Sequence, residues 1–380
     1  MKIVMLTSDY LPSIGGIASH IYELSKALIA NGHQVEVWLW DRKGTVSSND
    51  NLGDIPVRVI KRDASKEKLE NAKKIAQKTT GFFSEFKPDV IHVHTLDQLM
   101  PALAFLKKNF PFFTAVWTNH TSRFLRNIDS LMWRFKMRYY LRGIDGLVAT
   151  CKERRQKSLG LGVPSGNCLF IPNGVDPDKF AKISKDKARD IIGVEKDAFL
   201  LLYTGRFAPI KGVYYLAQAI KLVAEKIPDL VCVMCGNMDG DRESEKIRDF
   251  IRENELEKHI RLDGFIKNTL LGPYLSACDS LVLPSLMEAT SISMLEAMTV
   301  GRPVIGSRVG GIAETVIEKE TGILVRPADP GDLARGIMDF WEMDNRELMG
   351  VNAKKRTEEF TWRNIALKTA EFYRGLIASK

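Results

Sequence analysis

Residues 284–299, PSLMEATSISMLEAMT, and residues 301–312, GRPVIGSRVGGI, decide how this chain is read. Ahead of them Leu281, Val282 and Leu283 form a short apolar run. Pro303, Val304 and Ile305 begin another, which ends at Ser307 before Gly310 and Gly311. Short apolar runs bounded by proline and glycine predict buried strands. Two of them joined through a helix make a parallel α/β unit, and open sheets of that kind bind ligands in the loops beyond the strands' carboxyl ends. Glu288 then stands on such a loop and Glu296 on the helix that follows. Glutamates after a strand are most often a solvated face. The small and hydroxyl residues around these two suit a polyhydroxylated ligand.

The same rhythm runs outward in both directions. In the first half IVMLTS, VEVWLW, PVRVI, DVIHVH, FFTAVW and GLVAT read as strands, and residues 17–31 carry a helical pattern stopped by Gly32. After NGVDPDKF and a lysine-rich stretch to Lys187 the rhythm restarts with FLLLYTG, LVCVMCG, IRLDGF, SLVLPS, PVIGS and TGILVRP. The expectation is an α/β protein of two Rossmann-like domains, residues 1–172 and 173–360, facing across a central cleft. A final apolar-spaced helix in 361–380, anchored by Trp362, is expected to cross back to the first domain. A cleft that closes on two substrates and excludes water favours group transfer over hydrolysis.

Composition narrows the class. The chain has 380 residues, enough for two cores, and no run of about 18 apolar residues that would span a membrane. Its start reads as a strand rather than a cleavable leader. Five cysteines form no disulfide framework, and the CVMC pair lies inside an apolar strand, so a reducing, cytoplasmic setting is expected. The formal charge of +8 is concentrated in the first 170 residues, which points that half toward an anionic partner. Residues 123–142, RFLRNIDSLMWRFKMRYYLR, mix cations with bulky apolar side chains. They read either as an amphipathic helix on the inner, anionic face of a membrane or as a helix packed on its own domain. No nucleic-acid module accompanies the charge.

Several constellations carry chemistry. Gly15 and Gly16 open the first helix, whose amino end favours an anion or a sugar; a tight turn is the plainer reading. His120 follows a strand among Thr118, Asn119, Thr121 and Ser122, more polar company than a core histidine usually keeps. His92 and His94 alternate on one face of the strand DVIHVH and read mainly as packing and hydrogen-bonding support, with His94, nearer the carboxyl end, a candidate floor of the cleft. Gly205, Arg206 and Lys211 follow another strand, where two cations would clamp a pyrophosphate or else remain solvated. Asn173 sits in the turn NGVD, read as a connector ahead of a ligand contact.

Taken in order, SIGG at 13–16, TNH at 118–120, IPNGVD at 171–176, GRFAPIKG at 205–212 and the glutamate segment with GGIAE at 310–314 resemble a retaining glycosyltransferase of family 4, with GT-B architecture, over essentially the whole chain. The resemblance implies transfer of a sugar from a nucleotide diphosphate donor, UDP or GDP, to a hydroxyl acceptor of a glycan or glycolipid. It implies that Arg206 and Lys211 neutralise the diphosphate, that Glu296 holds the ribose, and that Glu288 lies by the donor sugar with Ala289, Thr290 and Ser291. His120 falls near the reacting centre, Gly16 near the diphosphate, and Phe265 at the border of the base. No metal and no cofactor are implied, since the two cations take the place of a divalent ion.

The chain departs from the family pattern after Glu288, where Gly-Phe-Gly is common and Ala289, Thr290 and Ser291 stand instead. A sugar-nucleotide epimerase of the same architecture, or a binding protein that docks on a glycan or membrane without catalysis, are the alternatives. The epimerase would need more acidic residues in the first domain.

Overall fold

The computed structural model describes every residue except 13–14, 42–43, 45, 47–51, 62–67, 96–98, 121–129, 181–182 and 238–241. The chain divides into two units, Met1–Gly174 with Trp362–Lys380, and Val175–Thr361. Each is built on one parallel sheet with helices packed against it.

The first unit contains β1 (Lys2–Thr7), β2 (Gln34–Asp41), β3 (Val57–Lys61), β4 (Val90–Val93), β5 (Thr114–Asn119), β6 (Gly146–Ala149) and β7 (Cys168–Phe170). They lie in the order β3-β2-β1-β4-β5-β6-β7, with Ile3 level with Val35 on one side and Val90 on the other. Strands this apolar are covered on both faces, as parallel sheets require. Ile3, Met5, Val37, Val90, Val116 and Val148 share one core with the helix Gly16–Ala30 and with Ile365, Ala366, Tyr373 and Leu376 of the last helix, Trp362–Ala378. Burying each large side chain of that last helix contributes about 1.5–3 kcal/mol. Gly146 makes the docking possible, because a Cβ there would run into Phe372 and Leu376.

The second unit contains β8 (Phe199–Thr204), β9 (Leu230–Cys235), β10 (Ile260–Gly264), β11 (Ser280–Leu283), β12 (Val304–Ser307) and β13 (Gly322–Val325), in the order β10-β9-β8-β11-β12-β13. Alternation along the strands sorts the side chains: Leu201, Tyr203, Cys232, Met234, Val282 and Ile305 enter one core, and Leu200, Leu202, Val233, Cys235, Leu281 and Val304 the other. All five cysteines are free and buried. Cys232 and Cys235 enter different cores, and burial pushes the Cys235 thiol up to about 12, as fits packing.

Twelve strands fall where the apolar runs predict them. The thirteenth, β7, is three residues long with only Cys168 buried, too short to carry a pattern. The basic stretch forms a helix at Leu131–Leu141, and its residues 123–129 lie outside those described. Among the described residues no helix is long and apolar enough to cross a membrane.

Candidate functional site

In the second unit the strand order reverses between β8 and β11, the kind of switch point at which α/β sheets bind ligands beyond the carboxyl ends. The loops leaving these two strands meet there. The Leu286 amide donates to the Ile210 carbonyl at 2.9 Å. Gly212, with φ of 68°, lies so close that a Cβ would collide with the carbonyl oxygen of Pro284. The junction thus admits only glycine. It presents Lys211, at the end of the 3-10 turn Pro209–Lys211, to Glu288: Nζ lies 2.5 Å from Oε2, and the Ser285 hydroxyl donates to the same oxygen at 3.3 Å. Arg206, on the same loop, has an exposed side chain, while its carbonyl accepts from the Tyr203 hydroxyl at 2.8 Å. The hydroxyl of Tyr203 also closes over Gly205, where a Cβ would come within 2.9 Å of it.

The segment after Glu288 is tightly held. A Cβ on Gly311 would come within 2.5 Å of the Ala289 and Thr290 backbone, and its amide donates to the Glu288 carbonyl at 3.3 Å. Thr290 is buried, and Ser291 caps the helix Ile292–Thr299 by accepting from the Met294 amide. Glu296 is buried on that helix with Lys179 Nζ 2.5 Å from Oε1. Burial raises its carboxyl above the usual range, and the Lys179 charge pulls it back. Phe265 is 46% exposed beyond β10, beside Gly264 with φ of 69°.

The first unit has its own switch point, between β1 and β4. His94 follows β4 and His120 follows β5, with His94 Nδ1 and His120 Nε2 3.0 Å apart. His20, in the second turn of the helix Gly16–Ala30, completes the group: its ring lies 4.6 Å from that of His120, and its Nδ1 is 2.9 Å from Oδ1 of Asn173. One ring nitrogen from each of His20, His94 and His120 lies within 4.8 Å of the others. His92 sits behind them, its two nitrogens held by the hydroxyls of Tyr373 and Thr118 at 2.5 Å each. Burial holds all four imidazoles below the usual histidine range, His20 at about 4; neighbouring histidines lower His92, His94 and His120 further, and the Arg154 charge adds to the lowering at His120. They are neutral at pH 7.

Asn119 is fully buried, and its carbonyl accepts from the Arg154 guanidinium at 2.8 Å. Among the described residues nothing lies within 4 Å of where a Cβ would stand on Gly15 or Gly16. Ser13 and Ile14 of that loop, with Thr121 and Ser122, lie outside the described residues. Asn173 is more than a connector, since it orients His20. His20, Lys179 and Arg154 are the residues that motif reading missed. A histidine on the buried stripe with Ala18, Ile21 and Leu24, one turn after a glycine pair, is the signal that would have found the first.

Two family profiles divide the chain between them. The one described as Glycosyltransferase Family 4 matches residues 14–179, and the one described as Glycosyl transferases group 1 matches residues 184–356. An uncharacterized glycosyltransferase of Methanocaldococcus jannaschii is 28% identical over 98% of each chain. Among solved structures, sucrose-phosphate synthase from Thermosynechococcus elongatus superposes with a TM-score of 0.84 at 24% identity, over 100% of both chains. Anabaena HepE in complex with UDP and glucose superposes with a TM-score of 0.81 at 20% identity, over 99% of this chain and 100% of that one. These two likenesses show the fold.

Proposed function

From a chain that belongs to the family 4 glycosyltransferases, with their GT-B fold, we propose a reaction: transfer of a sugar from a nucleotide diphosphate donor to a hydroxyl acceptor, with retention of anomeric configuration and without a metal ion. The observation that carries this reading is the Lys211–Glu288 pair at the switch point of the second unit. An ammonium and a carboxylate held at one spot suit a sugar diphosphate, whose phosphates need a cation and whose hydroxyls need an acceptor. Glu296, held beside the Lys179 ammonium, supplies a second acceptor for the ribose.

In this reading the donor breaks the ion pair as it binds. Its phosphate oxygens take the ammonium of Lys211 and the exposed guanidinium of Arg206, and a sugar hydroxyl donates to Glu288 in exchange. The bond from the anomeric carbon to the phosphate oxygen then breaks, the acceptor oxygen bonds to the same face, and the acceptor's proton passes to the departing phosphate oxygen. No protein base is consumed. Lys211 and Arg206 stabilise charge that develops only as the diphosphate leaves, which speeds the step and does more than tighten binding. His120 serves the donor sugar as a neutral hydrogen-bonding group. Ala289, Thr290 and Ser291 offer backbone amides and hydroxyls to the sugar, Phe265 borders the base, Gly15 and Gly16 leave room for the diphosphate, and His94, Asn119 and Asn173 shape the acceptor side. The test is proton NMR of the product, made with an α-linked donor in the presence of EDTA. An α-linked product supports the reading, and a β-linked one overturns it.

A second reading, compatible with the first, concerns location. The helix Leu131–Leu141 buries only Met137, while Leu131, Met132, Phe135 and Tyr139 are between 66% and 82% exposed. Cations at 134, 136, 138 and 142 surround them. An apolar face ringed by positive charge fits the surface of an anionic membrane, where the acceptor would be lipid-linked. UDP sugars are the first donors to try, followed by GDP sugars.

A further inference from the structure

The clustering of His20, His94 and His120 is closer than sugar transfer alone explains. His20 Nε2 is buried and has no hydrogen-bond partner among the described residues. Its Nδ1 faces the side-chain oxygen of Asn173, which can only accept, so Nδ1 carries the proton and Nε2 presents a bare lone pair. His94 can be assigned in the same way. Its Nε2 is 3.3 Å from the Met5 sulfur, a weak acceptor with no proton to give, so Nε2 is the donor and Nδ1 the lone pair. His120 Nε2 therefore donates to His94 Nδ1. His92 has both nitrogens engaged by hydroxyls and takes no part.

We propose that His20, His94 and His120 form a three-imidazole site for a borderline-soft divalent cation of the Zn²⁺ class, and that its occupancy inhibits transfer by taking His120 away from the sugar. Imidazole nitrogens bound to one tetrahedral Zn²⁺ at 2.0–2.1 Å stand roughly 3.4 Å apart. The His94–His120 pair is already at 3.0 Å, and the whole set lies within 4.8 Å. Small ring rotations close the rest. The metal replaces the single hydrogen bond between His94 and His120: the Nε2 proton of His120 is exchanged through solvent for one on Nδ1, so no net proton is released. Water fills the fourth position. The Asn173 side chain is the outer partner that metal-bound histidines usually have, fixing tautomer and ring. Imidazole prefers Zn²⁺, Cu²⁺ and Ni²⁺ to Mg²⁺ and Ca²⁺, so the site discriminates among cations. The binding claim is independent of the reaction proposed above; only the inhibition rests on it.

The experiment is equilibrium dialysis of the purified full chain against Zn²⁺ or Mg²⁺, with elemental analysis of bound metal and Co²⁺ absorption as a report on coordination. We expect one Zn²⁺ per chain, no Mg²⁺, and the visible bands of tetrahedral Co²⁺. His20→Ala should lose the Zn²⁺, Asn173→Ala should bind it about 10–100-fold more weakly, and His259→Ala, outside the group, should bind normally. Near-UV circular dichroism establishes that each variant is folded, and Asn173→Ala carries the test if His20→Ala is not. A folded wild-type chain that retains no Zn²⁺, or unchanged affinity in Asn173→Ala and in folded His20→Ala, overturns the site. Donor turnover that is unaffected with Zn²⁺ bound overturns the inhibition alone.

Discussion

Lys211 and Glu288, 77 residues apart in the chain, bring Nζ and Oε2 to 2.5 Å across the point where the second sheet reverses its order. The two loops that carry them are pinned by the Ile210–Leu286 backbone bond and by the crowding of Gly212 against Pro284. The pair is therefore set in place before any ligand arrives. A preorganised charge costs little reorganisation at the moment of reaction, which is what electrostatic catalysis requires.

Replacing Lys211 with alanine should lower kcat by roughly 10²–10³-fold, the size expected for removing one preorganised charge at a developing anion. Stability should fall far less, because the carboxylate left behind is only partly buried and keeps the Ser285 hydroxyl. Steady-state kinetics beside thermal denaturation separates the two. Unchanged turnover with a productive donor would remove Lys211 from the reaction.

Lys179→Ala should make stability depend on pH with a definite sign. The Glu296 carboxyl is already raised by burial, and losing the lysine raises it further. A carboxyl raised above its unfolded value favours folding at low pH and loses that contribution as pH climbs through its folded value. The variant should thus be closer to wild type at pH 5 than at pH 8 by melting temperature. Equal deficits at both would show that Glu296 does not depend on Lys179. Glu296→Gln, in turn, should raise the donor KM more than it lowers kcat.

The fold was largely legible because parallel strands buried on both faces write themselves as apolar runs, and the glycines of GRFAPIKG and GGIAE mark their carboxyl-end loops. The pairings were not. Nothing local in NGVDPDKF says that Lys179 meets Glu296, or that Asn173 meets His20, 153 residues away. The separation of Glu288 from Glu296 argues only against a paired acid and base. The structure gives each its own lysine. His20 stayed hidden because helical spacing reports which face is buried and is silent about the chemistry of one polar member of that face.

Acid should destabilise the metal-free first unit. His20 is lowered from 6.5 to about 4 by burial, with Asn173 opposing the shift. Between those values the unfolded chain binds a proton that the folded chain refuses. Stability is full above pH 6.5 and falls as pH drops toward 4, by about 3 kcal/mol from this group alone. His92, His94 and His120 act in the same direction. Melting curves in chelator from pH 7.5 to 4.5 should show the decline. A flat profile would mean that the histidines are not desolvated.

The exposed face of Leu131, Met132, Phe135 and Tyr139 should hold the protein on vesicles containing anionic lipid, and added salt should weaken the attachment. Phe135→Ser should reduce binding roughly 10–100-fold, since burying a Phe side chain is worth about 1.5–3 kcal/mol. Sedimentation that is equal on neutral and anionic vesicles would refute the electrostatic part.

The central claim is that the switch-point pair of the second unit serves a sugar diphosphate. Its most direct measurement is release of nucleoside diphosphate from a panel of UDP, GDP and ADP sugars in EDTA, without added acceptor, by wild type and Lys211→Ala. Slow hydrolysis of one donor class by the wild type is expected, with a loss of roughly 10²-fold or more in the variant. Tight nucleotide binding with no release from any donor, or release that the variant retains in full, would contradict it.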